Sequence, residues 1–165
     1  MKKIISEILA LFFLSSCGIY SFTGASIPNN AKTISVEHFV MTAINSPPSL
    51  SQTITEGLKD LILSQTQLDL IERNGDLNFR GKITNYSITP IAIQANESAG
   101  QNRLTIEIEV AYNNNFHEQQ NFNSIFSRYR DFNSSENLTD IESFLIEEIT
   151  KELLEDIFNK AFVNW

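Results

Sequence analysis

The chain has 165 residues and a net charge of −8, with 12 Lys and Arg against 20 Asp and Glu. That acidic balance argues against nucleic acid as a partner, because its binders present net basic surfaces, and against unaided attraction to an anionic membrane surface. The length suits one domain, which can bury about two-thirds of its unfolded surface without disulfide staples; with a single cysteine, no internal disulfide can form.

The first element is a basic start (Lys2, Lys3), an apolar run over 8–14 and the tetrapeptide Leu14-Ser15-Ser16-Cys17. Basic, apolar and small residues in that order make a secretory signal, and the apolar run is too short to span a bilayer. Leu-Ser-Ser-Cys resembles the bacterial lipobox, in which the cysteine thiol is diacylated and the chain is cut just before it. Residues 1–16 are therefore expected to leave as a lipoprotein signal peptide, with Cys17 carrying a covalent lipid. Cleavage leaves 149 residues and, by removing Lys2, Lys3 and Glu7, takes the charge from −8 to −9. Stable anchoring takes more than one acyl chain, which a bacterial lipoprotein carries. Gly18 stands where an aspartate would favour retention in the inner membrane of some bacteria, and no acidic cluster follows Cys17. The expected address is the outer membrane, on its periplasmic side.

Residues 17–30 read as a lipidated, extended leader and 31–165 as one domain. The segment 32–39 (KTISVEHF) alternates as a first strand. After Pro48, Ser49-x-x-Gln52 reads as a capping signature, and Ile54, Leu58, Leu61 and Ile62 form one helical stripe. A strand over 67–71 would lie parallel to the first. Asn74-Gly75 is a hairpin-type turn signal. In 76–90, Leu77, Phe79 and Ile83 occupy odd positions but Tyr86 and Ile88 even ones, which predicts a bulge near Thr84-Asn85; Pro90 marks an edge or an end. Leu104, Ile106, Ile108, Val110 and Tyr112 alternate cleanly, and a last strand covers 121–132. The fold class is α+β: a two-layer sandwich with a four- to five-stranded mixed sheet and two helices on one face, in the order β-α-β-β-β-β-α.

Thr139-x-x-Glu142 reads as a capping box for the C-terminal helix. Its first half puts Ile141, Phe144, Leu145 and Ile149 on one face, while its second half centres on the opposite one. Two accounts fit: a kink at Thr150–Glu152 or a passage over another part of the core, or a far half (Phe158, Phe162 and Trp165) packed against a partner.

No nucleophile elbow, phosphate-binding glycine loop, Cys-x-x-Cys or His-Glu-x-x-His occurs. His38 and His117 sit on different elements with no ligand cluster, so no metal and no cofactor is expected beyond the lipid on Cys17, and no enzymatic activity. Arg80 and Lys82 face away from Leu77 and Phe79; with Arg103, Arg128 and Arg130 they are candidate phosphate contacts on one sheet, against the alternative of solvated residues that blunt strand edges.

The segments CGIYSFTGASIP (17–28), KTISVEHF (32–39), LSQTITEGLKDLILSQTQLDLI (50–71), NGDLNFRGKITNYSITPIAIQANE (74–97), NRLTIEIEV (102–110) and LLEDIFNKAFVNW (153–165) resemble the LPS-assembly lipoprotein family LptE. The resemblance implies a small sheet with two helices on one face, anchored at the inner leaflet of the outer membrane. It also implies a seat inside the LptD β-barrel, whose assembly such proteins assist and whose lumen they plug, and binding of lipopolysaccharide (LPS). The runner-up is a periplasmic lipoprotein acting as adaptor or scaffold of another envelope complex; a tethered hydrolase is a third class.

Overall fold

A computed structural model describes residues 27–91 and 100–163. Its elements are β1 (Thr33–Val36), β2 (Val40–Met41), α1 (Ser49–Gln65), β3 (Asp69–Leu70), β4 (Leu77–Ile91), β5 (Gln101–Asn114), a 3₁₀ turn (Glu118–Gln120), β6 (Phe122–Asn133) and α2 (Leu138–Phe162). The sheet runs β3-β1-β4-β5-β6, with β2 also beside β4. β1 is parallel to β3 and β4, β2 is parallel to β4, and the β4-β5-β6 pairs are antiparallel. The α+β sandwich with a mixed sheet is thus the observed architecture, with six strands because β1 ends at Val36 and a further two-residue strand, β2, follows Phe39.

Phe39 causes the break. Its side chain is fully buried, lying so close over Gly81 that a Cβ there would come within 2.2 Å of the ring. The displaced backbone finds its hydrogen bonds on α1: Phe39 N–H donates to Thr55 Oγ1 at 3.0 Å and its carbonyl accepts from Ser51 Oγ. Both hydroxyls are buried, so these bonds seat α1 on the sheet as well as satisfying the strand.

β3 and β4 flank β1 on opposite sides, with Leu70 and Leu77 both level with Ile34. The link 71–76 therefore crosses β1 instead of closing the hairpin that Asn74-Gly75 suggested. Asn74 takes φ 58°, and Gly75 N–H donates to Ser35 Oγ at 3.0 Å. Asp76 Oδ2 accepts from Lys32 N and Thr33 N at 2.9 and 3.0 Å, which holds its carboxyl below the usual range.

The bulge falls where expected, the register shifting between Ile83 and Asn85, with Thr84 Oγ1 donating to Glu107 Oε1 at 2.9 Å. It turns Tyr86 onto the face that already holds Leu77, Phe79 and Ile83. Leu104, Ile106, Ile108, Val110 and Tyr112 join them, all buried beneath the helices; burial pushes the Tyr112 hydroxyl up to about 12.

Neither expected capping box forms. α1 starts at Ser49 behind Pro48 with no side-chain cap, and α2 is capped by Asn137 Oδ1, which accepts from Thr139 N at 3.3 Å. Glu142 instead accepts from the Tyr86 hydroxyl at 2.5 Å; burial first, then this carboxylate, raises the Tyr86 pKa.

α2 runs unbroken through Thr150, whose hydroxyl donates back to Ile146 O at 2.7 Å. It reconciles its two faces by packing on the sheet and on α1, where Leu154 lies against Gly57. Phe144 is not part of the stripe: it is 64% exposed, while Ile146 and Thr150 are buried. Phe158 and Phe162 are buried in the chain's own core, with Phe162 edge-on to Phe79 and Tyr112. They are therefore not a partner surface, contrary to that reading of the helix; Trp165 lies outside the described residues.

Candidate functional site: the uncovered sheet face

With the helices on one face, the other presents the opposite parity of each strand. Arg80 and Lys82 on β4 stand there beside Ala111 and Glu109 on β5, which in turn pair with Asn123 and Ile125 on β6. Val40 from β2 is level with Lys82. Val40, Arg80, Lys82, Ala111 and Asn123 line a shallow groove of about 380 Å³ over Gly81. Further along, Arg103 forks onto Asp131 at 2.7 and 2.9 Å and stacks 3.6 Å above the Tyr129 ring. Tyr129 and Ile125 remain substantially exposed.

The five candidate cations do not form one patch. Arg80, Lys82 and Arg103 share the uncovered face, but Arg128 and Arg130 pair with Ile106 and Leu104 across β5–β6 and so lie on the helix side. There Arg128 grips Asp156 at 2.7 and 2.8 Å, and Arg130 reaches Glu152 at 2.5 Å and Glu148 at 3.7 Å. These bonds tie α2 to β6; the guanidinium of Arg130 holds the Glu152 carboxyl below its ordinary range. Parity was the available signal: Arg128 and Arg130 occupy even positions with Phe122, Phe126 and Phe132.

On the uncovered face most charge is spoken for. Lys82 meets Glu109 at 2.8 Å, and this bond, with one from Asn123, lowers the Glu109 pKa. Arg103 does the same to Asp131. Among the described residues Arg80 alone of the five makes no ion pair. A surface of internally paired charges, exposed aromatic and aliphatic side chains and one free guanidinium can meet a polar wall without a large desolvation cost, and can offer one strong contact to a phosphate.

His38 Nε2 lies 2.9 Å from Ser51 Oγ. Ser51 is buried and its proton is directed at Phe39 O, so the hydroxyl serves the backbone and is not poised as a nucleophile.

Comparison with known proteins bears on this fold directly. The model of the family described as LptE, lipopolysaccharide-assembly, matches residues 31–161. Among solved structures, the hypothetical protein CT253 from Chlamydia trachomatis is similar with a TM-score of 0.53 at 9% identity, covering 81% of this chain and 99% of that one. A putative neuraminyllactose-binding hemagglutinin homolog from Helicobacter pylori gives 0.57 at 8% identity, covering 86% and 88%. At such identities the likeness is one of fold. No curated protein sequence matches the chain.

Proposed function

The chain belongs to the LptE lipopolysaccharide-assembly family, and on that premise we propose that it is a non-enzymatic assembly factor and plug of an LptD-type outer-membrane barrel, held at the periplasmic side of that membrane by lipid on Cys17. The observation that carries this reading is the family match across 31–161, which takes in both layers of the sandwich. The physical character of the fold supports it. A plug must be rigid, and here Phe39, Ser51 and Thr55 lock α1 to the sheet while ion pairs lock α2 to β6. A plug must also present charged groups to a polar lumen, and the uncovered face carries charges that are largely paired, with Val40, Ile125 and Tyr129 exposed among them.

Within this reading the uncovered face meets the barrel wall and LPS, and Arg80 is the first group that a lipid phosphate would find. The leader is about a dozen residues long, which limits reach from the membrane surface and suits a partner embedded in the same membrane. Depletion of the protein tests the proposal. Surface LPS and correctly assembled barrel should both fall, whereas unchanged levels of both would refute it.

A further inference from the structure

We propose that the free edge of β6 is a template on which an unpaired strand of the barrel partner is held during assembly; the inference rests on the function proposed above. β6 ends the sheet, with β5 on one side and no strand of the described residues on the other. An open strand edge is a template for another strand. In a closed barrel every strand is paired on both sides, so the occupant is a strand that has not yet joined the wall.

The groups offered at this edge follow from bonds already made. Opposed residues of an antiparallel pair exchange both hydrogen bonds or neither. Phe79 O accepts from Glu37 N on the β1 side, so Phe79 exchanges none with Tyr112, and Tyr112 turns its N–H and C=O to Phe122 on β6. The β5–β6 ladder then runs without a register shift. Even positions of β6 bond to β5, while Asn123, Ile125, Ser127, Tyr129 and Asp131 present their backbone groups outward. Among the described residues only Tyr129 O is engaged, by Arg130 Nη1 at 3.0 Å; Nη2 of the same guanidinium keeps Glu152 when Nη1 lets go.

Natural edges are blunted by proline, lysine, bulges or inward-pointing charges. The strand Phe122–Asn133 has no proline, lysine or bulge. Its inward charges, Arg128 and Arg130, are already neutralised by Asp156 and Glu152 on α2.

The two sides of the edge state what would bind. On the uncovered face Ile125 and Tyr129 are 63% and 48% exposed, and Arg103 steadies the Tyr129 ring by stacking on it. On the helix side the accessible groups are charged: Arg128 beside Asp156, and Lys160 5.2 Å from the centre of the Phe122 ring. A strand of an outer-membrane barrel carries the same alternation, apolar toward lipid and polar toward the lumen. It is about 9–11 residues long, against 12 for β6. Laid along the edge, its apolar row meets Ile125 and Tyr129, and its polar row meets the flank of α2.

Capture of the barrel polypeptide, freshly diluted from urea, by tagged full-length chain in mild detergent tests the assignment. Ser127→Pro removes an outward donor and no β5–β6 bond, and Ile125→Lys puts a charge in the apolar row; each should reduce capture of unfolded barrel about tenfold. Ile125 is exposed, so Ile125→Lys should keep the thermal midpoint of the free protein, and it reads binding even if Ser127→Pro unfolds the chain. Val40→Lys, the same change on the uncovered face away from this edge, should leave capture intact. Undiminished capture by Ile125→Lys, an equal loss with Val40→Lys, or capture of folded barrel alone would overturn the assignment while leaving the proposed function standing. So would a dimer of the free chain that Ser127→Pro dissolves, because a second copy would then occupy the edge. No capture of the barrel in either state would overturn both.

Discussion

Gly75→Ala probes the crossing of β1 by the 71–76 link, the feature on which the sheet order depends. A Cβ at residue 75 would lie 2.6 Å from Ser35 N, 2.7 Å from the Ile34 carbonyl carbon and 2.7 Å from Leu77 O. All three are backbone atoms of paired strands, so none can swing aside. Overpacking costs about 1–3 kcal/mol, and more where the surroundings cannot yield; the lower unfolded-state entropy of alanine returns only about 0.4–1 kcal/mol. The net expectation is about 2 kcal/mol of destabilisation. Urea unfolding followed by circular dichroism reads this as a midpoint lowered by about 1 M, taking a slope of about 2 kcal/mol/M for a small protein. Gly57→Ala is the internal comparison. Its Cβ meets only the Leu154 Cδ1 methyl at 2.7 Å, and alanine recovers about 1 kcal/mol of helix propensity, so the two terms nearly cancel. Gly75→Ala as stable as the wild type, or less damaging than Gly57→Ala, would refute the crossing geometry.

Phe162→Ala should cost about 3–5 kcal/mol, because the ring is fully buried against Phe79 and Tyr112; Phe144→Ser, at an exposed site, should shift stability by no more than about 0.5 kcal/mol. Stability should decline on acidification below about pH 4. The carboxyls of Asp76, Glu109, Asp131 and Glu152 are all held below their ordinary values of 3.8 for Asp and 4.5 for Glu; their contribution is complete above the unfolded-state pKa and disappears as pH falls through the folded one. Thermal midpoints measured from pH 7 to pH 3 read this, and Asp76→Asn should flatten the profile. Arg80→Glu should weaken binding to LPS at low salt far more than Arg128→Glu, whose native partner is Asp156 on α2; equal losses in a pull-down would contradict the division of the cations between two faces.

The layered order was legible because alternation and helical stripes report burial directly. Leu104 to Tyr112 on β5 could be read as a half-buried strand from period alone, and the parity change from Ile83 to Tyr86 could mean nothing but an extra residue. Tertiary choices were less visible. Phe39 is out of step with Ile34 and Val36 by one residue, but an apolar residue at the end of 32–39 still reads as strand, and the space above Gly81 and the hydroxyls of Ser51 and Thr55 explain why the chain leaves the ladder there. Phe144 is three residues from Ile141, yet the buried face of α2 runs through Leu145, Ile146, Ile149 and Leu153 and leaves Phe144 outside it, 64% exposed. The local signal for Arg128 and Arg130 suggested edge residues of one basic face, because a charged residue at a core-facing position looks misplaced until the facing row Glu148, Glu152 and Asp156 is brought against it. For the same reason Asn74-Gly75 marked a turn correctly but not its partner strands, which are decided by β1 passing between them.

The claim that this fold sits within an outer-membrane barrel is tested most directly by a photo-activated crosslinker placed at Arg80 or Tyr129 on the uncovered sheet face and illuminated in living cells. The account predicts one dominant adduct with a large LptD-type barrel protein. Adducts with soluble periplasmic proteins alone, and none with a barrel, would contradict it.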